Sequence, residues 1–222
     1  FGPQRIMDTP FSENSVSGVA LGLAMTGAKP IAEIKGEYLL RAADTIANQI
    51  AVTDFMYAAQ YGSSLVLRAD VGFRKGEGPQ LSQSFEAMFC QIPGLCVVYP
   101  STPADAKGML KAAVRSKTPV LFLENKKLYR EKGLVPEEED FTVPLCEAKV
   151  VKEGTDVTIL TYGAMTKTCL AASAKADIEE ISCEVVDLRT LYPLDAQTIV
   201  ESVCKTGKVI IVHEAHKTGG VG

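Results

Sequence analysis

A single carboxylate, Glu13, stands where an extended segment gives way to a helix. It closes the run Asp-Thr-Pro-Phe-Ser-Glu at residues 8–13, in which Pro10 favours an extended conformation before it and Ser12 is a candidate helix N-cap. A carboxylate in the first turn can be simply a capping group, because it satisfies free amides and favours the helix dipole. The alternative is a functional acid presented at a helix terminus, and spacing alone leaves both open.

The other residue types that carry chemistry are scattered along the chain. The six cysteines form no CxxC pair and four lie in apolar segments, so we expect buried thiols of a reducing compartment and neither a disulfide framework nor a zinc site. They are Cys90, Cys96, Cys146, Cys169, Cys183 and Cys204. The two histidines, His213 and His216, lack further ligand partners nearby, which disfavours a metal site.

Composition excludes two classes of function. The net charge is −4 and there is no block of Lys and Arg, which argues against nucleic acid as the principal partner. A membrane-spanning helix needs about 18 uncharged apolar residues in succession, and the sequence has no such run. We therefore expect neither nucleic acid nor a membrane as a partner.

The helix that follows Glu13 is rich in small and apolar residues. Residues 15–27 place Gly18 and Gly22 along one face, which suits close packing of backbones. A helix that is apolar nearly all round needs covering, so we expect another subunit to pack against it.

Strands and helices then alternate, which predicts an α/β fold with parallel sheets covered on both faces. In the first unit, strands are predicted at 29–34, 63–72, 95–101 and 119–125, and helices at 39–56, 83–92 and 103–116. Residues 126–143 have few apolar residues and are predicted to be a linker. The alternation resumes with strands at 146–154, 155–164, 182–190 and 208–215 and helices at 165–176 and 195–207.

We therefore predict two domains, residues 1–125 and 144–222, joined by the linker at 126–143. The first domain begins with a loop and helix and lacks a first strand. The second ends in a glycine-rich turn where an open α/β sheet would continue into a helix. We expect both domains to be incomplete in this chain, the first at its N-terminal side and the second at its C-terminal side.

Eight blocks in order resemble the beta subunit of a 2-oxo acid dehydrogenase E1 component. They are DTPFSEN, AMTGAKPIAEI, GPQLSQSFEAMF, IPGLCVVYPSTPADAKGML, PVLFLENKKLYR, GTDVTILTYGAM, VVDLRTLYPLD and KVIIVHEAHKTGGVG. The resemblance covers the whole chain. It implies a transketolase-like pyrimidine-binding domain followed by a transketolase C-terminal-like domain, each with a parallel sheet between helical layers, and thiamine diphosphate as cofactor.

The resemblance assigns roles to three residues. Glu13 matches the acid of the family's TP-x-x-E motif, which hydrogen-bonds N1′ of the aminopyrimidine and promotes proton exchange there. Tyr38 matches an aromatic position beside the pyrimidine ring, although ordinary core packing would also explain a tyrosine at a helix start. Phe11 matches a residue that lines the same pocket.

The chain departs from the family pattern in two places. Leu81 stands in GPQLSQ where the family usually has a histidine in the substrate channel, and a leucine cannot transfer protons. The family's potassium site is left open, because Ser116 and Thr118 stand where an acid and an amide are common.

The sequence contains no Gly-Asp-Gly motif, which thiamine-diphosphate enzymes use to hold the divalent ion and the diphosphate. The resemblance therefore implies that an E1 alpha subunit supplies the Mg²⁺ and diphosphate ligands and that this chain is active only with it. It also implies a second beta subunit in an alpha2beta2 tetramer and a lipoyl-bearing E2 as acyl acceptor. The compartment would be the cytoplasm in a bacterium, and the mitochondrial matrix or plastid in a eukaryote.

Three functional hypotheses follow from the sequence. The first is oxidative decarboxylation of a 2-oxo acid with acyl transfer to lipoyl-E2; HEAHKTGG and FLENKKLYR favour a branched-chain substrate, with pyruvate next. The second is a divergent, non-catalytic beta-like subunit for assembly or E2 docking, which the loss of the channel histidine would permit. The third is a fragment of a deoxyxylulose-phosphate synthase or transketolase, which matches the blocks less well.

Overall fold

A computed structural model describes residues 2–222 and contains two sheets flanked by helices. The strands are β1 (Ile31–Lys35), β2 (Val66–Val71), β3 (Cys96–Val98), β4 (Val120–Asn125), β5 (Lys149–Lys152), β6 (Val157–Thr161), β7 (Cys183–Asp187), β8 (Thr190–Tyr192) and β9 (Val209–Val212). The α-helices are α1 (Glu13–Met25), α2 (Ala43–Thr45), α3 (Thr53–Met56), α4 (Glu86–Cys90), α5 (Pro103–Arg115), α6 (Ala164–Ala176) and α7 (Ala196–Thr206). The predicted α/β class is thus confirmed.

The first sheet has the strand order β1-β2-β4-β3-β8, and the second has the order β5-β7-β6-β9. Strands β1 to β4 pair in parallel, as do β6, β7 and β9. Strands β5 and β8 are antiparallel to their neighbours. Each sheet is thus mainly parallel, as predicted, with one antiparallel strand at an edge.

The predicted strand at 182–190 ends early, and its last residue begins a strand of the other sheet. Strand β7 ends at Asp187, and Arg189 adopts φ +54°, a left-handed conformation that breaks the extended chain. The chain then crosses to the first sheet, where β8 pairs with β3 and the Tyr99 amide donates to the Arg189 carbonyl at 2.7 Å. The two sheets are thereby joined by the short chain segment at residues 188–189, which connects β7 to β8.

Helix α1 begins two residues earlier than residue 15 and includes Glu13 in its first turn. The Ser12 side chain does not cap the helix; its hydroxyl donates instead to Ser15 Oγ at 2.9 Å. At the other end, Gly27 at φ +90° and Ala28 donate backwards to carbonyls of the last turn, which is the glycine-terminated helix end that the sequence predicts.

One face of α1 is open to solvent in the single chain. Gly18 and Gly22 are exposed, and a Cβ atom added at either would meet nothing within 4 Å. Val19 is 59% exposed beside them. This face lacks a covering element among residues 2–222.

Two predicted helices are less regular than expected. The one at 39–56 is a succession of a 3₁₀ segment (Gly36–Ala42), α2, a π-helical turn (Ile46–Ile50) and α3. The one at 83–92 is reduced to α4. Gln83 belongs to the preceding loop, because its carbonyl accepts a hydrogen bond from the Gly72 amide. Among residues 2–222, no helix has the length and apolar character needed to cross a membrane.

Candidate active site

Glu13 is presented by the first turn of α1 and is 7% exposed. Its carboxylate borders a cleft of about 190 Å³ between the segment before α1 and strand β1. The cleft is lined by Thr9, Pro10, Phe11, Ser12, Glu13, Val16, Glu33, Ile34 and Lys35. A helix N-terminus stabilises negative charge, so this position suits a carboxylate that stays largely out of water.

The three residues predicted for cofactor binding do not all lie in the cleft. Phe11 borders it and is 89% exposed, so its ring is free to cover an occupant. Tyr38, in the 3₁₀ segment, does not line it. Instead Tyr38 reaches the site through Arg41, whose guanidinium carbon lies 4.3 Å from the centre of the Tyr38 ring.

Arg41 is the site residue that sequence reasoning missed. Its Nη1 atom lies 3.5 Å from Oε2 of Glu13, and its side chain is 59% exposed. The sequence shows Arg41 as a cation in a mostly apolar segment, which could have marked it as functional. The helical spacing, however, does not predict that Arg41 lies beside Glu13. Because water screens the exposed guanidinium, this ion pair is weak and easily displaced.

Leu81 is half-buried in the loop that joins β2 to α4. Its backbone carbonyl accepts a hydrogen bond of 2.7 Å from Nζ of Lys126, which follows β4 directly. The structure thus fixes the Leu81 backbone but gives its side chain no polar partner. Leu81 does not line the Glu13 cleft, and the prediction that it lies in a substrate channel stays a prediction.

Lys126 is the centre of a buried ionic cluster that positions this loop. Its side chain is 5% exposed, and its Nζ atom lies 3.2 Å from Glu37, 3.3 Å from Glu77 and 3.9 Å from Asp70. Burial by itself lowers the pKa of Lys126, but the hydrogen bond to Glu37 and the neighbouring carboxylates outweigh burial and raise it. The cluster therefore ties the Leu81 loop to the 3₁₀ segment that carries Tyr38.

A second tie comes from the distant Glu214, which follows β9. Its Oε1 atom accepts from the Phe73 amide at 3.1 Å and from Lys127 Nζ at 2.9 Å, and its Oε2 atom accepts from the Asn125 amide at 2.7 Å. Gly72 permits this approach, since a Cβ atom there would lie 2.7 Å from the Asn125 side chain. The loop is thus held at its start by Glu214 and further along by Lys126.

A buried polar seam lies behind the loop. Tyr162 donates to Glu86 at 3.0 Å, and Asn125 donates to the Tyr99 hydroxyl at 3.1 Å. Burial raises the pKa of Glu86, whose Oε2 atom has no hydrogen-bond partner among the described residues. This seam joins side chains from both predicted domains.

Asp187 is a second buried carboxyl group between the two sheets. Its Oδ1 atom accepts from Ser101 Oγ at 2.9 Å and from the Arg189 amide at 3.3 Å, while its Oδ2 atom has no hydrogen-bond partner within residues 2–222. Burial raises the pKa of Asp187 to about 7.

Two further features concern cations. Ser116 and Thr118 hydrogen-bond to each other at 3.0 Å, and Lys29 Nζ lies 3.2 Å from the Ser116 carbonyl and 2.9 Å from Ser64 Oγ. The positive charge at this turn is thus supplied by the ammonium group of Lys29. Within the described part of the chain, no three His, Cys, Asp or Glu side chains are grouped to hold a metal ion.

The residues of the cleft fit an aminopyrimidine. Glu13 offers one buried carboxylate for a ring nitrogen, while Val16 and Ile34 offer apolar contact for the ring faces. The cleft is a single, partly open space of a size suited to one ring and not to a whole dinucleotide.

Both predicted domains are similar to domains of known proteins. Residues 1–132 match the family model for the transketolase pyrimidine binding domain, and residues 146–222 match the transketolase C-terminal domain. A solved structure described as a split gene transketolase, inactive beta4 tetramer, superposes with a TM-score of 0.84 at 27% identity, covering 99% of this chain and 68% of that one.

Curated relatives are similar over the whole chain. The 2-oxoisovalerate dehydrogenase subunit beta of Bacillus subtilis is 44% identical over 100% of this chain and 68% of its own length. The mitochondrial subunit of the same name from Dictyostelium discoideum is 45% identical, with 99% of this chain and 60% of its length covered. The pyruvate dehydrogenase E1 component subunit beta of Bacillus subtilis is 41% identical, with 100% and 68% covered. The chain thus spans 60% to 68% of the length of these relatives.

Proposed function

Because the chain belongs to the transketolase-like family of 2-oxo acid dehydrogenase E1 beta subunits, which are components of oxidoreductases, we propose that it binds the pyrimidine half of thiamine diphosphate. In this proposal it supports oxidative decarboxylation of a 2-oxo acid and passage of the acyl group to a lipoyl-bearing E2.

The observation that carries the proposal is the buried carboxylate of Glu13 at the mouth of a ring-sized cleft. A carboxylate there can accept or return a proton at N1′ of an aminopyrimidine. Ile34 and Val16 would hold the ring and keep water from it, and the exposed Phe11 would cover it. The bound cofactor would supply the carbanion-stabilising chemistry that no protein side chain provides.

Arg41 adds a step to this proposal. In the structure its guanidinium shares the Glu13 carboxylate, so a pyrimidine nitrogen would compete with Arg41 for the same oxygen atoms. Arg41 is mostly exposed and stacked on Tyr38, so it can swing towards solvent at little cost. Tyr38 would then be uncovered beside the ring.

The substrate we propose is a branched-chain 2-oxo acid, with pyruvate as the second choice. The support is sequence identity, which is 44% and 45% to the two 2-oxoisovalerate dehydrogenase subunits and 41% to the pyruvate dehydrogenase subunit. The proposed partners are an E1 alpha subunit, which would supply the Mg²⁺ and diphosphate ligands, a second beta subunit and E2. The exposed Gly18–Gly22 face of α1 is available to such a subunit. The compartment would be the cytoplasm in a bacterium and the mitochondrial matrix or plastid in a eukaryote; the Dictyostelium relative is named as mitochondrial.

The test is to assemble the chain with its alpha subunit and measure decarboxylation of 2-oxoisovalerate and of pyruvate. We expect turnover, faster with 2-oxoisovalerate. Titration calorimetry with thiamine diphosphate and Mg²⁺ is run on the chain alone and on the assembly. Micromolar binding by the chain alone would contradict a site that is split between two subunits.

A second candidate is a non-catalytic beta-like subunit. Two observations favour it: Leu81 replaces a side chain that could titrate, and Arg41 occupies the Glu13 carboxylate. An assembly that forms with the alpha subunit and E2 but turns over neither substrate would support this candidate over the first.

A further inference from the structure

Two cysteines that are distant in sequence meet in one hydrophobic cluster under α5. Cys96 lies in β3 and is buried, and Cys146 lies just beyond the linker, is half-buried and packs against the same cluster. The two thiols are neighbours in this cluster, since each affects the pKa of the other. The pair therefore links the first sheet to the start of the second domain.

The crossing strand β8 holds this pair together. The Cys146 amide donates to Thr190 Oγ1 at 3.0 Å, and Thr190 lies opposite Val98 in the pairing of β3 with β8. Val98 and Cys96 share a face of β3, because side chains two residues apart in a strand point the same way. Cys146 also has φ +65°, which residues with a side chain rarely adopt, so its backbone is held in place by these surroundings.

We propose that Cys96 and Cys146 form a dithiol–disulfide redox site whose oxidant is a low-molecular-weight disulfide. The thiolate of Cys146, the more accessible of the two, attacks the oxidant, forms a mixed disulfide and releases one thiolate. The thiolate of Cys96 then attacks the Cys146 sulfur and expels the second. In sum, two protein thiols lose two electrons and two protons, and the oxidant is reduced to two thiols.

The surroundings of the two thiols determine how fast the disulfide forms. Burial raises the pKa of both thiols, so little thiolate is present at neutral pH. The exposed Cys204 should therefore react first with any thiol reagent. Closure of the bridge should be slow at pH 7 and several-fold faster at pH 9, since the thiolate is the attacking species. In a reducing compartment the two cysteines would remain in the dithiol form.

The experiment uses the purified chain with Cys204→Ser, which removes the exposed competing thiol. It is incubated with oxidised glutathione at pH 7, 8 and 9, alkylated, and digested without reductant for mass spectrometry. We expect a peptide pair joined through Cys96 and Cys146, formed faster at higher pH and lost on reduction. We also expect the melting temperature to rise by about 5 °C or more on closure, because the bridge closes a long loop.

Matched variants locate the bridge. Adding Cys90→Ser should leave the bridge intact, whereas Cys146→Ser should abolish it and leave Cys96 slow to react with glutathione. Absence of the joined peptide at pH 9, or a bridge from Cys96 to Cys90 instead, would overturn the proposal. The assay needs neither cofactor nor partner subunit, so its outcome is independent of the proposed enzymatic function.

Discussion

The Glu13 cleft and the Leu81 loop are organised in opposite ways. Glu13 is held by the start of one helix, and its counter-ion Arg41 is mostly exposed. The Leu81 loop has a leucine, which does not titrate, at position 81. Hydrogen bonds to the buried Lys126 and to Glu214 nevertheless hold the loop in place. The contrast teaches that the carboxylate can exchange partners, whereas the loop is built to keep its shape.

The strongest test of the contrast is Glu13→Gln, assayed in the complex with the alpha subunit. We expect decarboxylation to fall by about 10²–10⁴-fold, because an amide cannot exchange a proton with a ring nitrogen. The control is Glu33→Gln, which borders the same cleft but has a side chain that is 75% exposed. Hydrogen exchange at C2 of the bound thiazolium is the direct measurement, and near-normal exchange in Glu13→Gln would remove this residue from the mechanism.

Lys126→Met tests how strongly the Leu81 loop is held in place. Removing a buried, paired cation leaves Glu37, Asp70 and Glu77 facing one another, so we expect a loss of about 3–5 kcal/mol in the free energy of unfolding. Urea denaturation measures this loss. Lys35→Met is the control, since Lys35 is 58% exposed and its contribution through Asp70 should be worth less than about 1 kcal/mol. Equal losses in the two variants would show that burial of Lys126 does not matter.

Asp187→Asn separates the effect of burial from that of pairing, because Asp187 is buried without a full set of partners. Its pKa is about 7 when folded and near the ordinary value when unfolded, so the folded state binds the proton more tightly. Stability from this group is present below about pH 4 and is lost as pH rises to 7.

The variant should therefore be more stable than the parent at pH 8, by up to about 4 kcal/mol, and should show little gain at pH 4. Melting temperatures across this range, with the exposed Asp140→Asn as control, measure the effect. A parent protein whose stability does not fall between pH 4 and 7 would contradict the expectation.

Leu81→His tests whether the side chain at position 81 can take part in acyl transfer. The Lys126 tie is made to the Leu81 backbone, so the side chain can be changed without breaking it. We expect acyl transfer to lipoyl-E2 to rise about tenfold with a new pH dependence near neutrality, somewhat less than a well-placed general acid or base provides. Leu81→Gln, which is polar but does not titrate, is the control. A destabilised Leu81→His variant with unchanged acyl transfer would favour the non-catalytic candidate.

Arg41→Gln should have the smallest effect on stability, below about 1 kcal/mol, because the guanidinium of Arg41 is mostly exposed and water screens its charge. It should tighten binding of thiamine diphosphate to the assembled complex, since Glu13 would lose its competing partner. Arg115→Gln, which removes another exposed ion pair, is the comparison for the melting temperature. Weaker cofactor binding in Arg41→Gln would mean that Arg41 holds the cofactor and does not compete with it.

Much of the fold could be predicted from sequence because strand and helix alternation is a local pattern. Helix α5 was predicted to within a residue, helped by Pro103 in its first turn. The crossing strand β8 could not be predicted, since its partner β3 is far away in sequence and the turn depends on the conformation of Arg189.

The site was predictable only in part, for the same reason. Glu13 follows from a contiguous motif and from resemblance. Arg41 and Lys126 matter through contacts with side chains from other elements, and a charge in the sequence does not reveal which carboxylate it will meet. Tyr38 does not line the Glu13 cleft and is connected to Glu13 only through Arg41, so its predicted contact with the cofactor stays a prediction.

The crossing of β8 has a consequence for synthesis of the chain. As the polypeptide emerges from the ribosome, strands β1 to β4 are complete by residue 125, but the β3 edge of their sheet stays unpaired until residues 190–192 appear. An unpaired strand edge is a template for pairing with the wrong chain. The nascent first half therefore carries an aggregation risk for the time taken to synthesise the next 65 or so residues, and a slow step or a truncation in that interval would prolong it.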